Sequence, residues 1–154
     1  MRRTMLVAIL LAALPAAAWS LPAAEDATIG VVRNSAGTAS VLRGDQVIPA
    51  SVGLKLHTGD TLSTGPDGSL GLILRDNSSL SIGPESTIVI QDFLFSPADG
   101  RLGLIARLAR GTMAYFSGLI GKLAPETVRF ETPVASIGIR GTCFAVKAGE
   151  AVIR

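Results

Sequence analysis

The sequence predicts an all-β domain of short stacked strands. Turn-forming residues recur every few positions from Gly30 onward, and the apolar residues between them alternate with a period of two. A small unit, polar turn followed by apolar-x-apolar, also repeats through the middle of the chain.

The first residues stand apart from that pattern. Arg2 and Arg3 precede an apolar run from Met5 to Ala18, broken by Pro15, with small residues at Ala18 and Ser20. This is the pattern of an export signal cleaved after Ser20, with cuts after Ala18 or Ala24 as alternatives, and the run is short against the roughly 20 residues a bilayer span needs. Residues 1–20 are therefore expected to be a signal peptide, 21–28 an Ala/Pro/acidic spacer, and 29–154 a single domain. An uncleaved anchor is the alternative for the first segment. Arg2 and Arg3 supply the whole formal charge of +2, so the mature chain is formally neutral despite a pI near 9.1. No Lys/Arg cluster suited to phosphate backbones follows them, which argues against nucleic acid as a partner. The expected location is the periplasm or outside the cell, with no integral span in the mature chain.

Past Ile29 the punctuation is dense: Gly37, Gly44-Asp45, Gly53, Gly59-Asp60, Gly65 to Gly68, Asp76-Asn77 and Gly83-Pro84. Leu54 and Leu56 flank Lys55, while Leu70, Leu72 and Leu74 share a face opposite Gly71 and Ile73. Leu80 and Ile82 alternate with serines, and Ile88 and Ile90 with Val89 and Gln91. The repeat units, Asp67-Gly68-Ser69, Asn77-Ser78-Ser79 and Glu85-Ser86-Thr87, each lead into such a pair at a spacing of about 8–10 residues. Each unit is too small to bury its own face, so units must stack or pair. A β-solenoid-like stack and a compact β-sandwich both satisfy that demand. Arg101 to Arg110 fits a helical face as well as a strand, but Gly103 and Gly111 favour strand. Thr112 to Phe116 reads as a further strand, with Phe93, Phe95, Tyr115 and Phe116 supplying aromatic packing.

Sites for chemistry are scarce. The one histidine, His57, alternates with Leu56 and belongs to no recognisable triad. Asp60, Asp67, Asp76 and Glu85 sit at turn positions, where acidic residues are expected without catalysis. Phosphate-loop, dinucleotide and calcium-loop spacings are missing from the sequence, so no enzyme activity, cofactor or metal is expected. Cys143 is the one cysteine and precludes an intrachain disulfide; alternation from Phe144 points it outward, whereas a free cysteine is commonly buried.

The most specific stretch runs from Val128 to Val146. Thr132, Pro133, Ala135, Gly138, Arg140, Gly141, Thr142, Phe144 and Val146 fall in the register T-P-x-A-x-x-G-x-R-G-T-x-F-x-V, which resembles the FecR domain family. Gly30, then Leu56-x-x-Gly59-Asp60-x-Leu62-x-Thr64, resembles that family's earlier segment, so the likeness spans about residues 29–148. It implies a non-catalytic module on the far side of the inner membrane, contacting a protein partner and possessing no cofactor. The relay found in FecR-type regulators is not expected, because no cytosolic part or clear span accompanies the domain. Gly59, Asp60, Thr132, Pro133, Gly138, Arg140, Gly141 and Thr142 are expected to be structural, through backbone shape at the glycines and a fixed φ at Pro133. Arg140 is also the candidate partner contact, although a role as a fold staple is favoured. The alternative function is a glycan- or cell-wall-binding module, disfavoured by the scarcity of exposed aromatics. A hydrolase is the third.

Overall fold

A computed structural model describes residues 28–149; the expected signal peptide and most of the spacer lie outside the described residues. The chain forms β1 (Thr28–Ala36), β2 (Ala39–Arg43), β3 (Gln46–Pro49), β4 (Lys55–His57), β5 (Thr61–Thr64), β6 (Ser69–Leu74), β7 (Ser79–Ile82) and β8 (Thr87–Ser96). There follow β9 (Arg101–Phe116), a single helical turn α1 (Leu119–Leu123), β10 (Val128–Glu131), β11 (Ser136–Gly138) and β12 (Cys143–Ala148).

Nine strands form one continuous path in the order β3-β2-β5-β8-β9-β7-β6-β1-β4, antiparallel throughout and curled into a half-barrel. The all-β expectation holds, but a solenoid stack is not what forms. Two of the repeat units, in β6 and β7, do pair side by side, Leu70 facing Ile82 and Leu72 facing Leu80. The third, in β8, is separated from β7 by β9, which pairs with both. Closely spaced units joined by tight turns favour antiparallel neighbours over the crossover that parallel stacking requires.

The long strand β9 organises the molecule. Its first part pairs with β8 and, in parallel, with β10; its second part pairs with β7 and β12. The two halves therefore belong to opposite walls of the half-barrel, and the strand turns between them at Gly111, where φ is +95°. Only glycine adopts that φ readily, and a Cβ there would collide with the backbone and side chain of Ser86. Ser86 is fully buried and accepts from the Thr112 N–H through Oγ at 3.0 Å. Its own N–H donates to Thr64 Oγ1 at 3.0 Å, whose hydroxyl donates to the Gly83 carbonyl at 2.7 Å. The bend is thus pinned to the end of β5.

Alternation places Leu56, Leu62, Leu70, Leu72, Leu74, Leu80, Ile82, Ile88 and Ile90 in the core, as their period of two predicts. Of the expected aromatics, Phe93 and Tyr115 are in the core and Phe95 packs against it, while Phe116 is not. Tyr115, Phe130 and Phe144 form the cluster, with ring centroids 4.9–5.9 Å apart. Phe116 is 50% exposed, because Met113 and Tyr115 set the inward phase of β9 and the next residue must face out. Burial, followed by the charge of nearby Asp76, pushes the Tyr115 phenol above its ordinary pKa.

Candidate functional site

The residues singled out by sequence separate into two places. Gly59 and Asp60 lie where β4 turns into β5. The Gly59 N–H donates to the Ile90 carbonyl at 2.7 Å, and the Asp60 side chain is 1% exposed. Arg43, at the end of β2, grips that carboxylate with Nε to Oδ1 at 2.9 Å and Nη2 to Oδ2 at 2.7 Å. The His57 N–H donates to Oδ2 at 2.8 Å, and Arg43 Nη2 also donates to the Lys55 carbonyl at 2.8 Å. Burial pushes the Asp60 carboxyl up, but the Arg43 hydrogen bonds, the His57 N–H and the Arg43 charge outweigh it and hold the group below the usual range. This is a scaffold contact joining β2, β4 and β5. Sequence reasoning missed Arg43, which lies 17 residues from its partner with no local signal linking them.

The second place is the segment joining β10, β11 and β12, which lie off the nine-strand path. The Thr132 N–H donates to the Ala135 carbonyl at 2.8 Å and Thr132 Oγ1 accepts from the Ala135 N–H at 3.1 Å, closing a turn around exposed Pro133 and Val134. Gly138 ends β11, which pairs only with β10. Ile139 is buried and anchors the link to β12, while Arg140, Gly141 and Thr142, which follow it, are exposed. Gly141 has φ +126°, a conformation other residues rarely take, although open space surrounds the position a Cβ would fill. The Thr142 carbonyl accepts from the Ser117 N–H at 2.8 Å, which starts the pairing of β12 with β9.

Arg140 stands in a shallow cleft of about 400 Å³ lined by Pro125, Glu126, Gly138, Ile139 and Arg140 itself. Its guanidinium has no hydrogen-bond or ion-pair partner among the described residues, and Glu126 is not within ion-pair distance of it. Among the described residues a staple role for Arg140 therefore has no polar contact to act through. Cys143, three residues further along, is exposed. Among the described residues no group of three His, Cys, Asp or Glu side chains could hold a metal, and no helix is long and apolar enough to cross a membrane.

The site thus sits on an all-β half-barrel, in an exposed loop between β11 and β12. The profile described as FecR protein matches residues 60–154, and the chain belongs to that family. Domains of this type are typically non-catalytic signalling domains. The match begins at Asp60, so Gly30 and the Leu56–Gly59 segment precede it, and it extends past Ala148 to Arg154. No curated protein and no solved structure matches the chain.

Proposed function

We propose that this protein is an exported, non-catalytic adaptor of the cell envelope that engages a protein partner through the loop carrying Arg140, in the service of envelope signalling. The carrying observation is that Arg140, at the centre of the family's most specific motif, is exposed and unpaired among the described residues. Solvated arginines without a fold partner are frequent anchors at protein interfaces. Export rests on the charged, apolar and small-residue pattern of Met1 to Ser20.

Affinity capture from envelope extracts tests the reading, comparing the mature protein with Arg140→Ala. The expected result is an unchanged melting curve and a loss of the captured protein. A lowered melting temperature with capture intact would return Arg140 to the scaffold. N-terminal sequencing of envelope material should begin near Leu21; recovery of Met1 would favour a tethered protein instead. The glycan-binding alternative finds less support, since Tyr115, Phe130 and Phe144 stack on one another, leaving Phe116 as the exposed aromatic among the described residues.

A further inference from the structure

Among the described residues, strand β12 has a neighbour on one side, β9. It pairs with β9 from Cys143 opposite Phe116 to Ala148 opposite Gly111, and nothing among the described residues pairs with its other edge. The register fixes which backbone groups are left over. Because the Ser117 N–H donates to the Thr142 carbonyl, the even positions Thr142, Phe144, Val146 and Ala148 direct their N–H and C=O toward β9. Cys143, Ala145 and Lys147 direct theirs outward, and all three are exposed.

Edges of this kind are usually blunted by proline, bulges or several charges. Here Lys147 is the one charge on the strand and its register is regular. Beside the edge lies an apolar cleft of about 400 Å³, with Val146 and Ala148 on one wall and the Thr132–Ala135 turn and Ile137 on the other. Val134, on that far wall, is 85% exposed. A cleft bounded by a free strand edge and apolar side chains matches what an added strand requires, main-chain pairing along one side and pockets for alternate residues. The charge at its end is positive: Lys147 and Arg110 share a neighbouring cleft, both exposed and neither in an ion pair among the described residues. Glu85 also lines that cleft without pairing to either.

We propose that β12 is the docking edge for an extended segment of another protein, added antiparallel to it as a further strand. That segment carries apolar residues at alternate positions and a carboxylate opposite Lys147. The inference rests on the binding-module reading and names where and how the partner attaches.

Fluorescent seven-residue peptides of alternating Thr and Val test it by polarisation against the whole mature protein, with Glu or Lys at the position facing Lys147. The Glu peptide is expected to bind about tenfold more tightly than the Lys peptide, with the order reversed on Lys147→Glu. Methylating alternate backbone nitrogens of the Glu peptide, on the side that faces β12, should abolish binding while methylating the others should not. Ala145→Pro should also abolish it, and the Ala145 N–H faces outward, so no bond within the fold is lost. Equal binding of the Glu and Lys peptides, or indifference to methylation, would overturn the proposal. So would a concentration-dependent dimer, without peptide, that Ala145→Pro dissolves, since the edge would then belong to a second copy. If peptides fail while capture of the envelope partner still depends on Arg140, the adaptor reading stands and the strand-addition inference alone falls.

Discussion

Arg43 and Asp60 meet through two parallel hydrogen bonds, one partner 34% exposed and the other 1%. The pair is therefore asymmetric: Asp60 relies on Arg43 for its charge compensation, while Arg43 retains water. Removing the arginine leaves a buried carboxylate with the His57 N–H as its remaining hydrogen-bond donor.

The lowered Asp60 pKa has a defined sign in acid. The stabilisation is fully present above the unfolded carboxyl value of about 3.9 and is lost as pH falls through the lower folded value. Melting temperature should thus fall more steeply below about pH 4 in the wild type than in Asp60→Asn, measured by scanning calorimetry in steps of pH. Arg43→Ala should cost about 2 kcal/mol at neutral pH, less than for a wholly buried pair because solvent reaches Arg43.

Gly111→Ala should be among the most damaging single substitutions in the domain. Strain at φ +95° and collision with Ser86 act together, for a loss of about 3 kcal/mol or more by urea denaturation. Adding Ser86→Gly should recover only part of it, since the clash with the Cα of residue 86 and the backbone strain both remain and the Oγ bond to Thr112 is lost.

Two glycines of the family motif should respond differently to the same change. Gly138→Ala should alter stability by less than about 0.5 kcal/mol, because no atoms stand within 4 Å of its added Cβ and its φ is ordinary. Gly141→Val should cost about 1–3 kcal/mol through φ alone, with equally open space around it. Matched thermal melts of the two variants check the contrast.

Cys143 should react with a thiol reagent in the native protein at a rate close to that in denaturant, given its exposure. Under oxidising conditions a covalent dimer is expected, reversed by reductant and missing in Cys143→Ser. Native protection that vanishes on unfolding would contradict it.

Much of the fold was legible because alternation records burial directly. Leu70, Leu72 and Leu74 announce β6, and Leu80 and Ile82 announce β7, since a period of two has one structural meaning in a half-buried sheet. Pairing was less legible. The segments either side of Gly111 read as two strands, yet form one, because a glycine at positive φ can turn a strand without ending its ladder. The return of β9 between β7 and β8 depends on which strands meet in space, and local pattern is silent on that. The site divides similarly. The motif itself identified Arg140, but its exposure follows from the crossing between β11 and β12, and the Arg43–Asp60 contact joins distant positions that no local spacing relates.

The course of β9 also bears on how the chain acquires its shape during synthesis. Up to Asp99 the emerging polypeptide can pair β1 with β6 and β2 with β5, but β7 and β8 each lack the neighbour that Arg101 to Phe116 supplies. Until that segment follows, two adjacent apolar strands present unpaired edges, the condition in which nascent β proteins associate wrongly. Both walls then close on a single late-arriving strand.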